Sequence, residues 1–343
     1  MKIRAEYIEY KKNFRLLILI VLTVIFAALT LTLKSCTNQE AKKLHLGMND
    51  WPGYSLALYA KEAQLFAKRG LQVEIVNFNN QQDNIRATMR GAQELSFVTS
   101  WEILQVDPNE DSPAIIMIAD ISAGADAVVS QMDIESLQGL KGKKVATKLG
   151  TVAHLILLEA LESKQMQPQA VEIVDVSNER GAELLEKSQV SAAVLWEPLL
   201  SKVLAKGKTK VLFDTSMEDS LIVDCLVTKS KNIQTYSTEI TQFILAWFDA
   251  VHDLEKNPNQ VFSAIAILTG QTPEAVAKSF AGIKVGDRNL NQQMFVNNGR
   301  LADVLVKSTQ LLKKDLRHAK IIRDDVQISN QLLFKAIELW QNK

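Results

Sequence analysis

The chain has 343 residues, with 39 basic and 39 acidic side chains, four histidines and two cysteines. A balanced charge excludes the basic footprint that nonspecific nucleic-acid binding requires. Two cysteines exclude a disulfide-stapled scaffold, so the body must be held by a hydrophobic core.

The amino terminus reads as an export segment. Lys2, Arg4, Lys11, Lys12 and Arg15 precede the uncharged run LLILIVLTVIFAALTLTL, residues 16–33. A basic start followed by an apolar stretch is a secretory signature. At 18 residues the run also reaches the lower edge of a membrane span, so a retained helix is the competing reading. The next residues, Leu33-Lys34-Ser35-Cys36, resemble the lipobox of bacterial lipoproteins, with Lys34 departing from the usual small or apolar residue. That resemblance implies cleavage after residue 35 and a lipid on Cys36, and acyl chains bury enough CH₂ groups to hold a protein at a membrane. Removing residues 1–35 leaves 33 basic against 37 acidic residues and Cys225 as the remaining cysteine.

Residues 36–42 read as a polar tether. KLHLGMN, 43–49, is the first expected strand. A helix follows, with Leu56, Leu58, Tyr59 and Ala63 on one face and Gly70 as its stop. LQVEIVNF, 71–78, alternates as a strand, and 81–91 is a helix ending at Gly91. LSFVT, 95–99, and AIIMIAD, 114–120, are short apolar strands. A short helix precedes KKVAT, 143–147, and a helix starts near 151. Further strands are expected at 171–177, 191–196, 210–215 and 221–229, with a helix after 177. From 232 onward the pattern is mostly helical: 238–256, two helices behind NPNQ and TPEA, 300–316 and 331–342. Strands alternating with helices predict an α/β body with parallel pairing and crossover helices.

Residues that carry catalysis are scarce. His45, His154, His252 and His318 have no metal-ligand spacing. GxGxxG, GxxxxGK[ST] and GxSxG are absent. The chain reads as a binding protein without enzymatic activity, cofactor or metal. Polar and aromatic residues gather instead at the carboxyl ends of strands, where open α/β sheets bind ligands. These are Asn49-Asp50-Trp51-Pro52-Gly53-Tyr54, Thr99-Ser100-Trp101-Glu102, Asp120 through Asp126, Gly150 through His154, and Trp196-Glu197-Pro198. Together they predict a cleft with flat walls and a few polar anchors.

The body resembles the substrate-binding proteins of ABC importers that serve nitrate, taurine, aliphatic sulfonates and thiamine-precursor pyrimidines. The likeness is carried by WPGYSLALYAKEAQLFAKRGLQVEIV (51–76), ISAGADAVVS (121–130), LQGLKGKKVATKLGTVAHLILLEAL (137–161), AAVLWEPLLSK (192–202), LIVDCLVTK (221–229) and FILAWFDAVHDLEKNP (243–258). It implies a two-lobed α/β fold of the type II periplasmic-binding-protein kind. Lobe one would comprise 43–123 and 226–343, lobe two 124–225, with crossings near 121–127 and 221–227. It further implies that Trp51, Tyr54, Ser100, Trp101, Ser122, Asp126, Thr151, Ala153, His154, Trp196, Glu197 and Asp224 line the cleft. Asp126 and Asp224 have a second reading, as pins of the hinge strands, and His154 as a residue packed beneath its helix. Glu102 is expected in solvent and Cys225 in the core.

The implied partners are a small solute, an ABC permease with its ATPase, and a membrane reached through the lipid, the binding protein itself being a monomer. The same cleft would serve a sensing module that regulates a membrane partner, and a structural lipoprotein is a third reading. The strand ends offer Asp50, Asp126, Glu197 and Asp224 but no arginine. This favours a cationic or amide-bearing organic solute over sulfonate or nitrate. The N–H groups near Thr151 are the feature that would suit an anionic oxygen.

Overall fold

The computed structural model describes residues 42–108, 111–218, 220–296, 299–315 and 322–341. The export segment, Cys36, most of the tether and His318 lie outside them.

β1 (Lys42–Met48) leads through a 3₁₀ turn at Pro52–Tyr54 into α1 (Ser55–Glu62). The helix expected to run to Gly70 stops earlier. Gln64 adopts a left-handed φ of 58°, and the bend turns Leu65 and Phe66 into the core. Phe66 then stacks on Phe243 at 5.1 Å between ring centroids. Gly70 still terminates the segment, at φ 72° behind a short 3₁₀ turn. β2 (Leu71–Asn77), α2 (Gln81–Arg90), β3 (Leu95–Thr99), α3 (Ser100–Ile103) and β4 (Pro113–Ser122) follow. Asn80 caps α2 by accepting from Asp83 N at 2.8 Å, and Gly91 closes it at φ 83°.

The next elements are β5 (Asp126–Gln131), β6 (Lys144–Thr147), α4 (Val152–Glu162), β7 (Glu172–Asp175), α5 (Asn178–Glu186), β8 (Ala192–Trp196), α6 (Leu199–Leu204) and β9 (Thr209–Asp214). The chain returns through β10 (Val223–Lys229) to α7 (Ser230–Thr235), α8 (Ser237–Lys256), α9 (Pro258–Thr269) and α10 (Pro273–Ala281). β11 (Ile283–Val285), α11 (Arg288–Phe295), α12 (Arg300–Lys314), β12 (Gln327–Ile328) and α13 (Gln331–Gln341) complete it.

Two sheets result, and the fold is the expected bilobed α/β type. One sheet has the order β11-β4-β10-β3-β1-β2, with β12 beside β4; the other has the order β7-β6-β8-β5-β9. The parallel pairing expected from strand–helix alternation holds within β1, β2 and β3 and within β6, β7 and β8. It fails at the strands that join the sheets. β10 is antiparallel to both β3 and β4, and β5 is antiparallel to both β8 and β9. β4 runs toward the crossing and β10 runs away from it, so the two lie antiparallel.

The two crossings are stitched together. Thr215 Oγ1 lies 2.7 Å from Ser122 Oγ and accepts from Gly124 N at 2.8 Å, and Ala123 N donates to Gly282 O at 2.7 Å. A Cβ on Gly282 would sit 2.6 Å from Ala125 N, so only glycine lets β11 approach the crossing this closely.

α8 covers the first sheet, with Phe243 and Trp247 at 6.2 and 5.2 Å from the Phe97 ring. α12 behaves differently from its expected place in lobe one. Its Leu301 joins the core of the first sheet, whereas Leu311 and Leu312 pack with Leu155 and Leu158 of α4. Lys307–Glu159 at 3.1 Å and Lys314–Glu162 at 2.5 Å extend that contact to the surface. The helix therefore bridges both cores.

Candidate ligand-binding cleft

A cleft of about 940 Å³ lies between the two sheets. One wall comes from the loop after β1, the segment Asn77–Gln81 and the end of α9 at Leu268–Gln271. The opposite wall comes from the starts of α4 and α5 and from Trp196, Pro198 and Lys202. Thr99, Glu102, Asp126 and Asp224 form the floor.

Strand register builds that floor. β10 lies between β3 and β4, with Asp224 opposite Thr99 on one side and Asp120 on the other. Asp126 stands opposite Trp196 in the β5–β8 pair. Asp120 sits just behind the lining, where the Trp51 indole N–H donates to its carboxyl oxygens at 3.0 and 3.2 Å. The indole fits there because residue 53 is glycine: a Cβ would lie 2.1 Å from Asp120 Oδ2 and 2.8 Å from Trp51 Nε1. The Tyr54 hydroxyl donates to Asp224 Oδ1 and accepts from Gln81 Nε2 at 3.2 Å. Its ring stacks on Phe97 at 5.0 Å.

Glu102 ties the floor to the wall formed by the start of α4. Thr99 Oγ1 donates to one carboxyl oxygen, and the backbone N–H of Val152, the first residue of α4, donates to the other at 2.9 Å. This corrects the expectation that Glu102 is solvated; its exposure is 1%. It also consumes one of the N–H groups near Thr151 that an anion would need.

The acids of the floor are held away from ionisation. Burial pushes Glu102 up to about 7. It pushes Asp120 and Asp126 to about 7 as well, with the charges of Asp126 and Glu197 respectively adding to the rise. Asp224 is raised well above its ordinary value by burial and then by the neighbouring Asp120. At the mouth, partial burial and Glu179 across the opening raise Asp50.

Trp51, Tyr54, Asp126, Thr151, Trp196 and Asp224 are brought together on the cleft. Ser100, Trp101, Ser122, Ala153, His154 and Glu197 do not line it. Ser100 and Ala153 point into the packing, each 1% exposed. Trp101 packs edge-on to His154 at 6.5 Å, and His154 Nε2 sits 3.2 Å from Asp315 Oδ2 at the end of α12. His154 thus lies beneath its helix. Ser122 stitches the crossings through Thr215 and supports Asp126 from behind the lining. Glu197 caps α6, accepting from Ser201 Oγ at 2.5 Å and Ser201 N at 3.2 Å. Gln81 is not among the expected site residues, and the sequence places Asp120 at a strand end but not in the expected lining. Asp120 ends the otherwise apolar run AIIMIAD within the fully buried β4, and an acid at that place was the available signal.

The family described as NMT1/THI5 like matches residues 51–261, well over half of the chain. The protein belongs to the NMT1/THI5-like family. Its relatives include a binding protein of Brucella abortus, 25% identical over 154 residues; the match spans 45% of this chain and about half, 47%, of that protein's length. A Bacillus subtilis protein named for binding aliphatic sulfonates is 21% identical over 337 residues, covering 94% of this chain and 96% of its own. The structure of the aliphatic sulphonate binding protein SsuA from Escherichia coli superposes with a TM-score of 0.70 at 17% identity, over 82% of this chain and 95% of that one. The fold of this NMT1/THI5-like protein is therefore shared with solute-binding proteins; its ligand is a matter for its own cleft.

Proposed function

We propose that the protein is the extracytoplasmic solute-binding component of an ABC importer. It is held at a membrane by a lipid on Cys36 and presents a nitrogen-bearing organic solute to a permease and its ATPase. Lobes of 43–123 with 226–343, and of 124–225, close over the solute, with α12 crossing between them. The carrying observation is the make-up of the cleft. Trp51 and Trp196 line a space whose carboxylates are Asp50, Glu102, Asp126, Glu179 and Asp224, and among the described residues no arginine lines it. Lys148 and Lys202 are the basic lining residues, and Lys148 is already engaged by Asp175 at 3.1 Å. A desolvated carboxylate favours a guest that brings donors or positive charge, and tryptophan faces favour a cation.

A sulfonate is the second reading. The starts of α4 and α5 both face the cleft, and two relatives are named for aliphatic sulfonates. Titration with taurine, other sulfonates, nitrate, amines, amides and pyrimidines, read by tryptophan fluorescence or calorimetry, separates the two. Tight sulfonate binding with no response to any nitrogenous cation or amide overturns the charge argument and leaves transport standing. For the anchor, intact mass of membrane-extracted protein should show an acylated chain starting at Cys36; a mature chain retaining residues 1–35 refutes it.

A further inference from the structure

The cleft floor holds more acid than it can keep ionised. Asp224 and Asp120 face each other directly across neighbouring strands, an arrangement that like charges disfavour. Asp120, Asp126, Asp224 and Glu102 are each no more than 2% exposed. The donors that reach the four acids are neutral ones: the Trp51 indole for Asp120, the Tyr54 hydroxyl for Asp224, the Thr99 hydroxyl and the Val152 N–H for Glu102, and the Ser122 hydroxyl for Asp126, which moderates the rise that burial causes there. Among the described residues, no lysine, arginine or histidine forms an ion pair with any of the four, and neither Asp126 Oδ2 nor Asp224 Oδ2 receives an N–H or hydroxyl hydrogen bond. Both residues line the cleft.

We propose that the floor exchanges protons for the ligand's positive charge: the empty cleft stores protons on Asp126 and the Asp120–Asp224 pair, and an organic cation releases them as it binds. The inference rests on the cationic-solute reading above. In each exchange a carboxylic O–H bond breaks heterolytically and the proton leaves to solvent through the cleft mouth. The carboxylate left behind accepts N–H donors from the cation, and no covalent bond to the ligand forms.

The surroundings support the exchange from every side. Glu197 at the end of β8 presses on Asp126, and Glu102 on α3 presses on Asp224. Tyr54 and Cys225 are both raised well above their ordinary values by burial first and Asp224 second, so they add no charge. At the rim Lys148 is paired with Asp175, Lys202 lines the outer wall, and Asp50 faces Glu179. The raised positions of the floor acids set the window. Below about 7 a cation must displace protons, and above it the carboxylates of Asp120 and Asp126 are already free. Affinity for a permanently charged cation therefore rises with pH through this range.

The test uses the full chain in detergent and benzamidine, whose amidinium stays charged throughout. Calorimetry is run at about pH 5.5, 7 and 8.5, and at about pH 7 in phosphate and in Tris. We expect affinity to rise about tenfold per pH unit per proton displaced, between about 5.5 and 7. The binding heat should differ between the two buffers, reporting proton release. Benzamidine binding with constant affinity and buffer-independent heat overturns the exchange and leaves the cationic reading intact. Binding of taurine with none of benzamidine at any pH overturns both. In Asp224→Asn the buffer-dependent part of the heat should shrink, and an unchanged heat overturns the assignment of the stored proton to this pair.

Discussion

The floor of the cleft and the segment around Arg323 treat their carboxylates in opposite ways: the floor acids are buried, whereas Asp325 is 43% exposed and its arginine is the buried partner. Arg323, 4% exposed, grips Asp325 with its Nε at 2.7 Å and a terminal nitrogen at 2.6 Å. Its other donors reach the carbonyls of Asp107 and Asp111 at 3.1 and 3.3 Å. The guanidinium, as hydrogen-bond donor, pulls Asp325 down to about 2. There a buried arginine meets a surface carboxylate bidentately. The floor receives tryptophan, tyrosine and threonine donors instead, and its acids move upward. The proposed cationic solute would supply the counter-charge that the floor does not draw from its own side chains. Buried charge without a counter-ion destabilises the fold, and binding sites tolerate that cost.

The sharpest way to break this comparison is Asp126→Asn. The substitution keeps size and hydrogen-bonding capacity but removes the charge. We expect a nitrogenous cation to bind at least a hundredfold more weakly, about 2.7 kcal/mol, by calorimetry. Affinity within a factor of about three of the parent would mean that the floor does not meet the ligand's charge.

The next effect is on stability, and its sign differs between the two regions. The floor acids have folded pKa values raised to about 7 from 3.8 for Asp120 and Asp126, and from 4.5 for Glu102. Below about pH 4 both folded and unfolded chains hold these protons. Between about 4 and 7 the unfolded chain releases them first, so stability falls as pH rises through that window. Asp325 is lowered from 3.8 to about 2, so its contribution is present above 3.8 and is lost as pH falls through 2. Asp120→Asn, which still accepts from Trp51, should therefore raise stability by roughly 2 kcal/mol near pH 8 and leave it unchanged near pH 4. Thermal unfolding at the two pH values checks this. Equal effects at both would remove the electrostatic explanation.

Trp196 tests the wall rather than the floor. Trp196→Ala should weaken binding at least tenfold, about 1.4 kcal/mol, if the ring contacts solute. Unchanged affinity would return Trp196 to core packing between the lobes.

Most of the fold was legible because its signals are local. Apolar runs marked the strands from Lys42 to Lys229, and Gly70 and Gly91 marked chain reversals that need a left-handed residue. β5 was carried only inside the family-like ISAGADAVVS and not recognised as a strand, since it follows β4 after a short crossing. α11 went unread, although Asp287 caps it by accepting from Leu290 N at 2.6 Å. The site was half legible for a different reason. Strand ends could be located, but which side chain faces the cleft depends on the turn that follows. After β3 the chain enters α3 at once, so Thr99 and Glu102 reach the cleft while Ser100 and Trp101 turn into the packing. The pairing of Asp224 with Asp120 was out of reach, because it is set by register between strands about a hundred residues apart.

The smallest expected effect separates the cation and anion readings at the rim. Lys148 is 44% exposed and shared with Asp175, so it interacts with the cleft through solvent-screened charge. If the ligand is a cation, Lys148→Ala removes mild repulsion at the entrance. Affinity should then stay within about threefold of the parent and shift toward tighter binding, most visibly at low salt. If the ligand is a sulfonate, the same lysine stands beside the starts of α4 and α5 and helps to hold the anion. Its removal should then weaken binding by considerably more than that. Calorimetry of the variant with benzamidine and with taurine at low and moderate salt reads both outcomes. Loss of taurine binding together with unchanged benzamidine binding would show that the rim and the floor recognise different charges. That would confine the cation-selective chemistry to the acids beneath Trp51 and Tyr54.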